Sequence, residues 1–437
     1  MGKHQMKFDR EVVEVEIPDS DLLGVLRSRE VPCAPTEEEA VREALANPIG
    51  APRLKDIVRP GEKVCIVTCD TTRLWQHPSL YLPILVEELN AIGVPDEDIF
   101  FISGTGTHRS QTPEEHKAIV GEDLYRRCKV YDHNSRTDAM TDFGVTSRGT
   151  PVRFNKRAAD SDHVIVTGGV VYHFMAGWGG GKKGILPGIA SYETVMANHA
   201  LALNPLPGKG RNPVCRTGSI DGNLIHLDMV EAVGKLNPSF LLNVVMNASG
   251  KIGWAVAGDW RQAYQKGMDI VDSVDAVEIS EKADLVVASA CGYPKDINFY
   301  QTSKTFFNAQ EALKPGGAML VLSACTEGYG NEEVQKMLLD FPDNDARESE
   351  LRREFTIAKH VGFCTGETAE RFDFHLVTKM DPALLEGTGV IASRTVEEAM
   401  EKIHAKHGRS LKTWLMPQGA NKLPRSEERR VGKECRS

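Results

Sequence analysis

Three stretches of the chain carry residues whose types could do chemistry on an anion. The richest is residues 166–205, VTGGVVYHFMAGWGGGKKGILPGIASYETVMANHALALNP. His173 precedes a glycine-rich loop, Lys182 and Lys183 lie inside it, and His199 follows it. Five glycines fall between Gly177 and Gly184. Where no Cβ intervenes, backbone N–H groups can approach a phosphate, and a lysine adds charge. The loop is not a Walker A motif. Lys183 rather than Ser or Thr follows Gly181-Lys182, and Ala176 stands where the first glycine is needed. A dinucleotide fingerprint can be forced onto Gly179, Gly181 and Gly184, but no acidic residue follows a second strand at the usual distance. The stretch therefore reads as a site for phosphate or another anion beside two histidines and a lysine. The other two stretches are Cys69-Asp70-Thr71-Thr72-Arg73 and Ser103-Gly104-Thr105-Gly106-Thr107-His108-Arg109.

All three stretches follow apolar runs that read as buried strands: Lys63–Thr68 (KVCIVT), Asp98–Ile102 (DIFFI) and His163–Thr167. Helical patterns alternate with them at Leu80–Ile92, after Thr112-Pro113-Glu114-Glu115, and at about 191–203. Thr112 is placed as a cap with proline and acids in the first turn, and Thr36 with Glu39 forms another capping signal. A short strand at Val130–Asp132 and a hairpin at about 143–154 complete this part. The rhythm predicts an α/β fold with a largely parallel sheet. Ligands in such sheets bind beyond the carboxyl ends of the strands, which is where the three stretches fall. A helix at 222–235, a strand at 239–246, its hairpin partner at 252–257 and a helix at 260–272 follow. A second α/β rhythm begins near Ile279, with strands at Asp284–Ala288 and 318–323 and helices at 331–339 and 346–355.

The chain of 437 residues is long enough for two domains. The expected division is 1–275 for an α/β domain carrying the glycine loop and 276–410 for a second α/β domain. The active-site cleft is expected between them. A segment at 411–424 is expected to return to the first domain, and 425–437 to be a disordered tail or a read-through scar. A net charge of −9 argues against nucleic acid as a partner, and no apolar run approaches a membrane span. Nine scattered cysteines form no C-x-x-C pair and point to a reducing, cytoplasmic setting.

Taken together, Asp70-x-x-Arg73, Gly106-Thr107-His108, His173 through Pro187-Gly188 to His199, and Gly292-x-Pro294-x-Asp296-x-Asn298-x-x-Gln301-x-x-Lys304 resemble the nickel-dependent lactate racemase family. The likeness runs to about residue 424. It implies a nickel-pincer nucleotide, a pyridinium-3,5-bisthiocarboxylate mononucleotide that holds nickel through sulfur, carbon and sulfur. It also implies a covalent tether at Lys183, with Lys182 its immediate rival, and nickel ligation by His199. His108 and His173 are the implied acid/base pair. Arg73 is the implied carboxylate clamp, with Asp70 beside it, and Gly180, Gly181 and Gly184 line the cofactor. Tyr300, Gln301 and Lys304 are placed toward substrate or cofactor from the second domain. The implied reaction is racemisation or epimerisation of a 2-hydroxy acid by reversible hydride transfer. The partners would be the small 2-hydroxy acid and the proteins that assemble and insert the cofactor.

Plainer readings stand beside these. Lys183 could only bind phosphate, Arg73 could only pair with Asp70, and Lys304 could be a solvated helix lysine. His133, His163 and His226 lack a supporting constellation and read as structural. Trp178 and the region 355–372 are placed near the substrate pocket. Two other functions remain open. A dehydrogenase using the same cofactor would accumulate oxo acid, and a non-catalytic carrier of a phosphorylated ligand would turn nothing over.

Overall fold

The computed structural model describes residues 2–426, so the tail expected at 425–437 lies outside the described residues from 427 onward. The described chain divides into two compact units. One comprises Glu30–Leu201 and Val214–Val274. The other comprises the residues up to Arg29, Ala202–Pro213 and the chain from Asp275.

The first unit is built on a six-stranded sheet. Its spatial order is Ile252–Gly258, Phe240–Met246, His163–Gly169, Val64–Thr68, Ile99–Ser103 and Lys129–Asp132. All neighbours are parallel except the edge strand Ile252–Gly258, which runs antiparallel. Val64–Thr68 is buried along its whole length, as a central strand covered on both faces must be. From Val64–Thr68 the chain steps outward through Ile99–Ser103 to Lys129–Asp132, then crosses back to His163–Gly169 on the other side. The direction of winding thus reverses beside Val64–Thr68, where loops leaving neighbouring strands diverge and open a crevice. The register pairs Thr68 with Ser103 and Val67 with Val166, so the three loops leave the sheet along one edge.

Helix Pro78–Ile92 covers one face of this sheet. Proline opens it, Gly93 at φ +100° closes it, and Tyr81, Leu82, Leu85 and Leu89 enter the core formed with Val64, Ile66 and Phe101. Each such leucine contributes about 1.5–3 kcal/mol on burial. Thr112 and Glu115 make the reciprocal capping box at the start of helix Pro113–Val120. Thr36 caps Glu37–Ala46 by accepting from Glu39 N.

The second unit has a wholly parallel sheet in the order Val390–Ser393, Asp373–Val377, Leu313–Leu322, Ala283–Ser289, Thr413–Met416 and Leu22–Val25. Three parts of the expected division differ here, one being Ala202–Pro213, which joins this unit rather than the first. Thr413–Met416 pairs with Ala283–Ser289, so the segment 411–424 belongs to the second unit. The N-terminal residues also join that unit, through Leu22–Val25 and through the hairpin Gly2–Phe8/Glu11–Ile17. Met6, Phe8, Val15 and Ile17 of that hairpin pack with Leu285 and Leu320. Alternating apolar residues reveal a strand, but the partner is chosen by complementary apolar faces far away in sequence. Most of residues 355–372 form one long helix, Ile357–Arg371. No helix among the described residues is long and apolar enough to cross a membrane.

Candidate active site

The loops after Val64–Thr68, Ile99–Ser103 and His163–Gly169 are knitted together by their own backbones. Gly104 N donates to Thr68 O at 2.8 Å and Gly106 N to Gly188 O at 2.9 Å. Gln76, buried in the first loop, accepts from Gly169 N at 2.8 Å. A Cβ on Gly104 would stand 3.2–3.3 Å from Thr68 O, Gly184 O and the Gly188 Cα, so only glycine lets the three loops meet this closely.

Asp70 is the hub of the first two loops. It caps the 3-10 turn Thr71–Gln76, its Oδ1 accepting from Thr72 N at 3.1 Å and from the Thr72 hydroxyl at 2.5 Å. The same oxygen takes Arg73 Nη1 at 2.8 Å, and Oδ2 accepts from His108 Nδ1 at 2.5 Å. Asp70 is only 2% exposed. Burial opposes its ionisation, but the His108 hydrogen bond and the Arg73 charge outweigh it and hold the carboxyl well below the usual carboxylate range. A carboxylate there can only accept, so His108 carries its proton on Nδ1 and its Nε2 lone pair is available. His108 and Arg73 both stay substantially exposed to solvent.

His173 is held the opposite way. It pairs within the short ribbon Tyr172–His173/Gly177–Trp178. Its Nδ1 accepts from Met175 N and Ala176 N, each at 3.2 Å. Two backbone donors on Nδ1 leave the proton of the neutral ring on Nε2, so this imidazole presents a donor. His199 lies on helix Tyr192–Ala200, which Ser191 caps through Thr194 N. It is 2% exposed, and its Nδ1 donates to Val195 O at 2.9 Å. That bond fixes the tautomer with the lone pair on Nε2, the nitrogen a metal takes.

The two adjacent lysines have unlike surroundings. Lys182 is 1% exposed; its Nζ donates to Tyr264 Oη at 3.1 Å and lies 4.8 Å from the centre of that ring. Tyr264 Oη in turn donates to the carbonyl of Trp178, itself buried. Burial, with the like charge of Lys183, drives Lys182 well below its ordinary value. Burial and the charge of Lys182 push His226 down to about 3. Lys183 is half-buried, and burial plus the Arg73 charge push it down to about 7. Its amine makes no hydrogen bond or ion pair among the described residues. Gly180, Gly181 and Gly184 have a packing reason to be glycine. A Cβ would meet Gly169 O at Gly180, the Tyr264 ring at Gly181 and Val166 Cγ1 at Gly184. Sequence alone could not separate this close packing from a ligand cradle.

In the second unit, Asn298 caps helix Phe299–Ala309 by accepting from Gln301 N at 3.0 Å. Lys304 Nζ donates to Gln301 Oε1 at 2.6 Å, and Tyr300, beside them, is half-buried. His133 is buried, bonding Ala190 O at 2.8 Å, and His163 bonds Glu62 and Ser239. Two residues that bear on the first site escaped the sequence reading: Gln111, just before the Thr112 cap, and Asp132, the last residue of strand Lys129–Asp132. Asp132 sits at a strand end of the same sheet, and that position was the available signal.

Residues 8–210 match the family model of the lactate racemase N-terminal domain, and residues 278–423 that of the lactate racemase C-terminal domain. A lactate racemase of Thermoanaerobacterium thermosaccharolyticum is 36% identical over 346 residues, 78% of this chain and 77% of that protein. One of Lactiplantibacillus plantarum is 32% identical over 424 residues, covering 95% and 97%. The solved lactate racemase apoprotein from T. thermosaccharolyticum superposes with a TM-score of 0.89 at 30% identity, covering 97% of this chain and all of that one. A Thermotoga maritima protein shares the fold at a TM-score of 0.65 and 18% identity, covering 90% and 98%.

Proposed function

Because the chain belongs to the lactate racemase family and is an enzyme of the isomerase class, we propose that it inverts a 2-hydroxy acid, lactate or a close relative, with a nickel-pincer nucleotide held by Lys183 and His199. The residues fit such a group. Lys183 offers an amine without a hydrogen-bond partner among the described residues, half unprotonated near pH 7, in a loop whose backbone is locked on every side. His199 offers Nε2 as a single imidazole donor. Among the described residues no three His, Cys, Asp or Glu side chains cluster as a metal site, so the remaining donors to nickel would come from the bound group. When bound, that group supplies a reversible acceptor for the hydrogen that leaves the substrate Cα with its electron pair.

The chain's own residues do the rest. Arg73, anchored through Nη1 on Asp70, receives the substrate carboxylate. His108 takes the hydroxyl proton on Nε2, and the buried Asp70 carboxylate stabilises the imidazolium that forms. His173 donates from Nε2 to the substrate oxygen and polarises it. A planar 2-oxo acid can then take its hydrogen back on either face, with His108 returning the proton. The observation that carries the reading is the Asp70–His108–Arg73 constellation, a base and a carboxylate clamp set on one buried acid. The proposal includes a cytoplasmic location, with the cofactor-assembly proteins as partners.

The test is direct. Protein produced with nickel and the cofactor-assembly enzymes is given single enantiomers of a panel of 2-hydroxy acids, and the product is read by chiral chromatography. Both enantiomers of at least one acid should reach a one-to-one mixture without oxo acid accumulating. No inversion of any acid by protein shown to carry an adduct on Lys183 sinks the proposal.

A further inference from the structure

Behind Asp70 and His108 lies a second connection between their loops. Gln111 Oε1 accepts from Thr71 N at 2.6 Å. Both donors of Gln111 go to one carboxylate, its backbone N to Asp132 Oδ2 at 2.7 Å and its Nε2 to Asp132 Oδ1 at 2.9 Å. His116 Nε2 adds a third bond to Asp132 Oδ1 at 2.8 Å. Burial opposes ionisation of Asp132, but the His116 and Gln111 hydrogen bonds prevail and hold its carboxyl below the ordinary value. A carboxylate only accepts, so the amide of Gln111 can face one way: NH2 toward Asp132, oxygen toward Thr71. Its orientation is fully determined.

The placement matters because of what is next to it in the chain. Thr71 follows Asp70 and precedes Arg73 by two residues, and Gln111 follows His108 by three. Beyond the Gly104–Thr68 backbone bond at their base, the loops are therefore joined by two side-chain rungs, Asp70 to His108 and Thr71 to Gln111. With only the first, the imidazole would be both base and sole side-chain tie, and the angle between Arg73 and His108 would be less tightly set. The second rung fixes that angle without touching the reacting groups. We propose that Gln111, anchored on Asp132, is a positioning residue that brackets the Asp70–Arg73 turn against the His108 loop. The proposal rests on the reading of His108 and Arg73 given above.

Gln111→Leu keeps the bulk and removes the acceptor. In the cofactor-free protein, hydrogen exchange at the Thr71 amide, read by fragmentation mass spectrometry, should quicken at least tenfold while strand Val64–Thr68 is unchanged. In the loaded enzyme kcat should fall roughly 10- to 100-fold, as expected for a misplacement near 1 Å, with KM moving far less. Gln111→Glu is the second variant. It keeps an acceptor for Thr71 but sets a carboxylate against Asp132, where His116, Arg109 and Glu115 are the other charged groups acting. Two such carboxylates come to share a proton as pH falls. Its kcat relative to wild type should therefore recover on acidification, which a merely structural lesion would not do. The bracket is overturned by unchanged Thr71 exchange in Gln111→Leu or by kcat within twofold of wild type. If that variant does not fold, a flat pH ratio for Gln111→Glu overturns it. Faster Thr71 exchange alongside a wild type that inverts nothing would support the bracket and sink the racemase reading.

Discussion

The amine of Lys183 should titrate near neutrality in the protein without cofactor. Its ordinary value is 10.5, and burial first, then the charge of Arg73, push it down to about 7. At pH 7 about half of the Lys183 side chains would then be free amine, against about 0.03% for an unperturbed lysine. That is a gain of more than a thousandfold in nucleophile, and attachment of a cofactor to lysine needs the free amine. Arg73→Met isolates the second cause. The Arg73 side chain is 41% exposed, so water screens its charge. Removing it should raise the midpoint by about half to one unit and leave the larger effect of burial in place. The assay is brief acylation with acetic anhydride across pH 5–11, followed by peptide mass spectrometry. An exposed lysine in the same digest serves as reference, and the buried Lys182 as the unreactive neighbour. A Lys183 midpoint above about 9.5, within a unit of an ordinary lysine, would refute the reasoning.

Three further outcomes follow from the same geometry. Asp70→Asn should cut kcat by about 100-fold or more, since the carboxylate that orients and stabilises the His108 base is gone. The folded-state pKa of Asp70 lies below the unfolded value of 3.8, so its stabilisation is fully present above that value and is lost as pH falls through the folded one. Urea melts should show the variant weaker than wild type at pH 7, with the gap narrowing below about pH 4. Lys182→Met should keep the adduct on Lys183, and its effect on stability should depend on pH. The folded pKa of Lys182 is depressed, so between that value and 10.5 the unfolded chain binds the extra proton and wild-type stability rises with pH. Thermal melts at pH 6 and 9 should show the variant's relative advantage larger at pH 6. Gly188→Ala should cost about 1–3 kcal/mol in the urea midpoint, because the new Cβ collides with Gly184 O and the loop backbone must shift.

The parts of the site that were legible from sequence share one physical cause. Strands buried on both faces read as unbroken apolar runs, and ligands gather at their carboxyl ends, so KVCIVT and DIFFI pointed at once to the loops holding Asp70, Arg73 and His108. The capping box at Thr112 was legible because its bonds close within four residues. What stayed hidden depends on distance or direction. The bond from His108 to Asp70 spans 38 residues, and that from Thr71 to Gln111 spans 40, with no periodicity to announce either. The pairing of Leu22–Val25 with Thr413–Met416 is longer still. Lys182 and Lys183 are neighbours of one type. Only the turn of the Gly181–Gly184 segment sends one amine into the core against Tyr264 and leaves the other half-buried.

The two imidazoles expected to act as equivalent bases are not equivalent in their hydrogen bonds. His108 is backed by a carboxylate, with its Nδ1–H directed at Asp70 Oδ2. His173 is backed by the amides of Met175 and Ala176, and protonating Nδ1 would set a donor against two donors. In the proposed mechanism His173 would therefore stabilise an oxygen and His108 would move a proton. For His173 to act as a base through the same face, its ring must turn and leave both amides. A racemisation with an equilibrium constant of one requires equal kcat/KM in the two directions, yet it sets no such condition on kcat or KM separately. An enzyme with one ready base and one that must first reorient satisfies that constraint, provided the reorientation lowers the kcat and the KM of its direction by the same factor. Mirror-image substrates therefore do not demand mirror-image catalytic groups, only a shared carboxylate anchor, the part that the proposed mechanism gives to Arg73 on Asp70.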